Sequence, residues 1–155
     1  MLQRIQSIYL LLASLLLLAV VLFPLFAFDG ASTSFILKMC SFSNGEESLS
    51  IPTLYWVWLS LAWLTGLMLL TSLFGFKNRK GQMKRGRLAY VLILAVLVCG
   101  YFTGGAAEDM LPEGTWTNVY GIAFYLPAAA LAFNFLANRS IKGDEDLVKS
   151  LDRLR

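Results

Sequence analysis

The densest group of chemically functional side chains is a basic cluster in the middle of the chain. Its six cations are Lys77, Arg79, Lys80, Lys84, Arg85 and Arg87, with no acid between them. Cations at this density suit anionic lipid headgroups or nucleic acid. Nucleic acid fits worst, because no aromatic side chains on which bases stack are interleaved with the cations. We therefore expect no nucleic-acid partner.

Catalytic chemistry has few candidate residues. The sequence contains no histidine, and its two cysteines, Cys40 and Cys99, form no C-x-x-C motif. Cys99 lies within an apolar run and Cys40 outside the runs, so we expect no disulfide. The acids Asp29, Glu108 and Asp109 lie in polar connections, where carboxylates are usually only solvated. We expect no enzymatic activity, no catalytic or metal-binding residue and no cofactor.

The composition is that of a protein surrounded by lipid. Hydrophobic residues make up 57% and charged residues 15% of the 155-residue chain, whereas about a quarter of the residues in an ordinary soluble domain are charged. A core of this size cannot hide so many apolar side chains from water. We therefore predict an integral membrane protein consisting of one domain.

Four apolar runs are long enough to cross a bilayer as helices, since about 20 residues span about 30 Å of hydrocarbon. The sequence predicts one membrane domain over residues 1–155, all-α in class and built as a four-transmembrane-helix bundle. The expected spans are residues 5–28, 52–76, 88–107 and 118–137, followed by a tail at 138–155.

The first run has an alternative interpretation as a secretory signal peptide. The apolar core of a signal peptide has about 7–15 residues, whereas residues 7–28 are all uncharged. The sequence around Pro24 is also a poor cleavage site. We expect a retained helix that Pro24 kinks or ends.

The polar segment between the first two runs predicts a small extracytoplasmic β-hairpin or extended flap. Residues 35–42 are strand-like, and Asn44-Gly45 follows them, a dipeptide that is the strongest short hairpin signal. The alternative is an apolar loop in the headgroup layer.

Small residues in the third run indicate close helix packing. Ala95, Cys99 and Thr103 recur every four residues, and Gly100 and Gly104 form a G-x-x-x-G pattern. We favour packing within the chain over a homodimer face. In the fourth run we expect the polar Asn134 to form a hydrogen bond with a neighbouring helix. The candidate packing residues are Ala95, Cys99, Gly100, Gly104 and Asn134.

The charge distribution predicts the orientation. With four spans, the basic cluster lies on the same side as both termini, together with Arg4, Arg139, Lys142, Lys149, Arg153 and Arg155. The other side has only the cation Lys38. Short basic loops remain cytoplasmic. We therefore predict a multi-pass protein of a bacterial inner membrane, with its N- and C-termini in the cytoplasm.

The tail has the pattern of a short amphipathic helix, with acids before cations, as the helix dipole favours. Such a short helix is marginal in water, so we expect it to dock on the membrane surface or on a partner. The candidate docking residues for partners or lipid are Lys77, Arg79, Lys80, Lys84, Arg85, Arg87, Arg139, Leu147, Val148, Leu151 and Leu154.

Three segments together carry a family resemblance. They are MLQRIQSIYLLLA at residues 1–13, KNRKGQM at 77–83 and FLANRSIKGDEDLVKSLDRLR at 135–155. In these the chain resembles an uncharacterised family of small four-helix inner-membrane proteins of the Bacteroidota. The resemblance implies no reaction, because that family is a domain of unknown function.

Three functions are open at this point. The first is a non-catalytic accessory or assembly subunit of an inner-membrane complex, because the predicted spans contain no ionisable Asp, Glu, Lys, Arg or His side chain. The second is binding of anionic lipid by the basic cluster. A cytoplasmic location of this segment would by itself require the same positive charges. The third is a small transporter or channel acting as an oligomer, which Pro24 and Pro127 suggest. The expected partners are membrane lipids and other inner-membrane or cytoplasmic subunits.

Overall fold

The computed structural model describes the backbone of residues 2–30, 33–38, 41–75 and 79–152 and the side chains of residues 5–30, 33–38, 41–75 and 81–144. This part of the chain forms four α-helices and four strands. In chain order they are α1 (Leu2–Leu18), β1 (Phe26–Asp29), β2 (Ser34–Lys38), β3 (Ser41–Ser43), α2 (Thr53–Phe74), α3 (Arg79–Glu108), β4 (Thr117–Tyr120) and α4 (Ile122–Asp152). A 3-10 turn, Ala19–Leu22, extends α1.

The four helices pack in a closed ring, in which α1 and α3 each contact both α2 and α4. Small side chains line the inside of the ring and let the helix backbones approach closely. Fully buried examples are Ala13, Ala62, Ala89 and Ala130.

The outside of the ring is apolar. Leu64 and Val91 are each 64% exposed and Phe74 is 79% exposed, which is the pattern of helices that face lipid rather than water. Three segments, Ile5–Leu22, Thr53–Phe74 and Gly81–Glu108, are long and apolar enough to cross a membrane, consistent with a membrane protein. α4 is not among these three, and Asn134, Asn138 and Arg139 interrupt its apolar stretch.

The prediction of an all-α four-transmembrane bundle was wrong, because four strands form an antiparallel sheet in the order β3-β2-β1-β4. β1 pairs with a strand on each side, so that Phe28 lies opposite Phe35 on β2 and opposite Asn118 on β4. The first expected span, 5–28, therefore ends as a helix at Leu22 and continues into a strand. The fourth expected span, 118–137, likewise begins within a strand.

The sheet caps one end of the ring, where α1 and α3 end and α2 and α4 begin. Phe26 is fully buried between the sheet and the helices. Its ring centroid lies 5.4 Å from that of Tyr120 and 5.9 Å from that of Phe124 on α4. We call this end of the molecule the sheet end.

The predicted hairpin is part of this sheet, with a different division of residues. Where the sequence predicts one strand over 35–42, the structure has β2 and β3, and the connection at 39–40 lies outside the described residues. Asn44-Gly45 makes a second turn, in which the backbone N–H groups of Glu46 and Glu47 donate to Asn44 Oδ1 at 3.0 and 2.7 Å. Gly45 has a φ of 98°, which glycine adopts without strain.

Candidate functional site

The end of the ring opposite the sheet carries most of the cations, and we call it the basic end. It comprises the start of α1, the end of α2, the start of α3 and the C-terminal half of α4. Among the side chains that the structure describes, its charged residues are Lys84, Arg85, Arg87, Arg139, Lys142 and Asp144. The charged residues of the sheet end are Asp29, Lys38, Glu46, Glu47, Glu108, Asp109 and Glu113. The two ends therefore have opposite net charge within the described side chains.

The predicted basic cluster divides into parts with different surroundings. Lys77 lies outside the described residues, and Arg79 and Lys80 are described only as the first backbone positions of α3. The cluster is therefore largely helical, since α3 begins at Arg79 rather than near the expected residue 88. The helix then fixes the direction of each remaining cation, about 100° apart per residue.

Arg85 is engaged with the end of α2. Its Nη1 donates to the carbonyl of Thr71 at 3.3 Å, and its guanidinium group packs against Gly75, where an added Cβ would lie 2.9 Å from Nη2. A cation here satisfies a free carbonyl and offsets the negative end of the helix dipole. This cation of the cluster therefore stabilises the α2–α3 junction.

A buried glutamine makes a second link between α2 and α3. Gln82 is 7% exposed, and its Nε2 donates to the carbonyl of Ser72 at 2.8 Å. Ser72 Oγ is buried and has no hydrogen-bond partner within the described part of the chain. Gln82 and Arg85 together hold the last turn of α2.

The contact between α3 and α4 is centred on Gly86. Asn134, fully buried, donates from Nδ2 to the Gly86 carbonyl at 3.1 Å. Asn138 Nδ2 donates to the carbonyl and to Oδ1 of Asn134, at 3.0 and 3.2 Å. The Asn138 amide also lies directly against the Cα of Gly86, so no larger residue fits at position 86 without displacing it.

α1 joins the basic end through a polar contact with α4. The side-chain amide of Gln6 donates to Asp144 Oδ2, and Gln6 is 7% exposed. Beside this pair lies a cleft of about 500 Å³ between the two helices. It is lined by Ile5, Tyr9, Leu136, Arg139, Ser140, Gly143 and Asp144.

A larger groove runs along the outside of the α3–α4 pair. Its volume is about 800 Å³ and its lining is almost entirely apolar. The lining residues are Tyr90, Leu94, Ala128, Leu131, Ala132, Phe135 and Leu136. Leu136 lies on the ridge that separates this groove from the α1–α4 cleft.

The predicted amphipathic tail is the continuation of α4 and not a separate helix. α4 runs without a break from Ile122 to Asp152, so the docking positions Leu147, Val148 and Leu151 lie on the same helix as Asn134. Their side chains, and the whole of Leu154, lie outside the described set.

The predicted packing residues of α3 lie toward the sheet end. A Cβ on Gly100 would lie 3.0 Å from Trp58 Nε1, and one on Gly104 would lie 2.8 Å from the Phe26 ring. Ala95 is half-buried. Cys99 is a free thiol that faces the Leu54 carbonyl at 4.0 Å. The structure therefore places the two glycines of the G-x-x-x-G pattern against residues of the same chain.

The chain matches a protein-family model along almost its whole length. The family described as "Domain of unknown function (DUF4293)" matches residues 2–154. The chain belongs to this family. The expected membership in an uncharacterised family is thereby confirmed, and the match covers both the sheet and the basic end. Comparison with curated proteins and with solved structures found no match.

Sequence reasoning missed the polar residues that hold the basic end of this DUF4293 member together. The side-chain amides that form these contacts lie within or beside apolar runs, at Gln6, Gln82 and Asn138. A single amide in an apolar run was the one sequence feature that could have indicated a buried hydrogen bond. Asp144 belongs to the acidic group at the start of the tail, and the structure pairs it with α1. Within the described residues, no group of three or more His, Cys, Asp or Glu side chains could hold a metal ion.

Proposed function

We propose that this protein is a non-catalytic integral protein of a bacterial inner membrane, and that it acts as an accessory or assembly subunit. It would bind its partner at the basic end, through the C-terminal extension of α4. The observation that carries this proposal is that α4 continues as one helix to Asp152.

The C-terminal part of α4 extends beyond the start of α1, the helix beside which it lies. Asp144 is level with Gln6, and α1 begins four residues before Gln6, at Leu2. Because α1 and α4 are antiparallel, α4 passes the described start of α1 at about position 148. The last turn of α4 therefore lies beyond the described part of α1.

The helical register supports a docking role for that turn. The buried face of α4 runs through Ala130, Asn134, Ala137 and Ile141, and position 148 continues it at the seven-residue repeat. Positions 147 and 151 continue the adjacent face, which lines the α1–α4 cleft at Ser140. Leu151 lies beyond the described start of α1, and Leu147 is level with the first turn of α1. Leucines on this face at the end of α4 suit an apolar groove on another protein.

The distribution of charge supports a cytoplasmic location for the basic end. The described cations lie mostly there and the described acids mostly at the sheet end, and short basic segments remain in the cytoplasm. We infer that both termini are cytoplasmic and that the sheet lies outside. The resemblance to Bacteroidota proteins supports the inner membrane as the site.

Site-specific photocrosslinking in native membranes tests the docking proposal. A benzophenone amino acid at position 147 or 151 of the full-length protein is expected to give one protein adduct of discrete mass. The matched control is position 149, about 160° around the same helix, which is expected to give none. Equal adducts at all three positions, or only lipid adducts, would contradict the proposal.

A truncated chain separates docking from folding. A stop codon after Asp144 keeps the contact with Gln6 and removes the extension. We expect unchanged membrane insertion and melting temperature, together with loss of the copurifying protein. A truncated chain that no longer inserts would assign the extension to folding and overturn the docking role.

A further inference from the structure

The groove between α3 and α4 combines an apolar floor with cations at one end. Along α3, Tyr90 and Leu94 line it, and Arg87 lies one turn before Tyr90. Along α4, Phe135 lines it, and Arg139 lies one turn after Phe135. Both arginines are exposed.

Helix geometry places the two arginines on the same side of the pair. Gly86 and Asn138 face each other across the α3–α4 contact, and Arg87 and Arg139 are the residues that directly follow them. In antiparallel helices the residue after each contacting residue turns about 100° toward the same side of the pair. The groove residues Leu94 and Ala128 lie on that side, so the helix positions of Arg87 and Arg139 flank the groove. Arg139 also lines the adjoining α1–α4 cleft, across the ridge at Leu136.

From this arrangement we propose that the groove binds one anionic phospholipid. Its phosphate lies between Arg87 and Arg139, since the planar guanidinium group binds phosphate oxygens in a bidentate manner. An acyl chain runs along the apolar wall past Leu94, about 10 Å from Arg87 along α3. The proposal rests on the membrane setting but not on the partner-docking role of α4.

The assignment to a lipid comes from the joint position of charge and apolar surface. A soluble phosphate would leave the groove of about 800 Å³ unfilled, and an uncharged apolar molecule would leave both arginines without a counter-charge. The other described cations of α3 do not contribute. Arg85 is engaged with the Thr71 carbonyl, and Lys84 points about 160° away from α4.

Native mass spectrometry of the full-length protein in detergent tests the headgroup contact, with phosphatidylglycerol titrated against phosphatidylcholine. The double variant Arg87→Gln/Arg139→Gln is expected to weaken phosphatidylglycerol binding about 25-fold, or about fivefold per cation. Lys84→Gln removes one positive charge from an exposed position, as each single arginine variant does, and is expected to leave binding unchanged. An equal loss of binding per charge removed would overturn the proposal, because it would indicate only a general surface charge effect.

A second pair of variants tests the acyl-chain contact while keeping the arginines. Ala132→Phe fills the groove from an exposed position and is expected to abolish the one-to-one phosphatidylglycerol complex. Ala129→Phe adds the same ring at an exposed position that lies about 60° around α4 from Ala132 and is not part of the groove lining, and it is expected to preserve the complex. Full binding by Ala132→Phe would overturn the acyl-chain assignment.

A soluble competitor separates a lipid from a free phosphate ester. Glycerol phosphate at a hundredfold excess is expected not to displace phosphatidylglycerol, because it lacks the chain. Displacement by glycerol phosphate would identify a soluble anion site and overturn the proposal. Helix content by circular dichroism is measured for every variant, and both pairs of substitutions lie on exposed residues.

Discussion

At the scale of single residues, Gly86 sets how closely α3 and α4 approach. A methyl group there would meet the Asn138 amide, and Asn138 is held by two hydrogen bonds to Asn134. We expect Gly86→Ala to lower the free energy of unfolding by about 1–2 kcal/mol, since overpacking would outweigh the better helix propensity of alanine.

Gly105 is the matched control on the same helix, because no atom lies within 4 Å of an added Cβ. Gly105→Ala should raise stability by up to about 1 kcal/mol. Denaturant unfolding in detergent micelles measures both changes. If both alanines stabilise the protein equally, close packing at Gly86 is not a constraint.

Asn134 contributes to stability through the hydrogen bonds it makes. It is fully buried, donates to Gly86 and accepts from Asn138. Hydrogen bonds between membrane helices contribute about 0.6 kcal/mol on average. Asn134→Leu removes the donor to the Gly86 carbonyl and one of the two acceptors of the Asn138 amide, which keeps its hydrogen bond to the backbone carbonyl of residue 134. We expect Asn134→Leu to cost about 1–2 kcal/mol, measured by thermal unfolding.

A double-mutant cycle makes the Asn134 prediction specific. Because Asn134 and Asn138 share hydrogen bonds, the cost of Asn134→Leu should shrink in an Asn138→Ala background. Strictly additive costs would show that the two side chains act independently.

At the scale of elements, the sheet depends on the pairing of β4 with β1. Gly121 N–H donates to the Leu25 carbonyl at 2.9 Å, and Ala27 lies opposite Val119. Antiparallel ladders alternate, so the N–H of Val119 faces β1, whereas that of Asn118 faces the open edge. Proline lacks this N–H and is tolerated only on the edge side.

We therefore expect Val119→Pro to destabilise the sheet end and Asn118→Pro to be tolerated. Limited proteolysis around residues 44–47 measures the difference. This turn is already exposed, and loss of the sheet would let it unfold enough for a protease to cleave it. Equal protease resistance in both variants would show that β4 is dispensable for the sheet.

The helices could be predicted from the sequence better than the sheet. A membrane helix shows as a local apolar run, whereas the sheet depends on pairing between segments far apart in the chain. α2 spans Thr53–Phe74, close to the expected 52–76, since an uncharged run bounded by Pro52 is a local pattern. β1 is four residues long and lies at the end of an apolar run, where Phe26 and Phe28 look like membrane helix. Its partner β4 lies far along the chain, and no local pattern reports that pairing.

The candidate site was predictable in its charges but not in their division of roles. The sequence places Arg85 and Arg87 in one basic cluster, and the helical start of α3 turns them in different directions. Arg85 meets the Thr71 carbonyl, whereas Arg87 flanks the groove. The directions of these two side chains could not be predicted from the sequence without knowing that α3 begins at Arg79.

At the scale of the whole molecule, the proposed orientation predicts which positions reagents reach. In a Cys40→Ser/Cys99→Ala background, Glu46→Cys and Glu113→Cys should react with a membrane-impermeant maleimide in intact spheroplasts. Lys142→Cys should react only after permeabilisation. Labelling of Lys142→Cys alone in intact spheroplasts would show that the orientation is the reverse of the proposed one. Labelling of all three variants would indicate leaky membranes.

The strand order also governs when the protein can be completed during synthesis. β2 and β3 follow β1 closely in the chain, but Asp29 pairs with Thr117, which leaves the ribosome only after α2 and α3. Until then the second edge of β1 carries unpaired N–H and C=O groups, which attract other strands. A chain whose synthesis stops within α3 therefore has an unpaired edge on β1. Pairing of β4 with β1 completes the sheet and covers that edge.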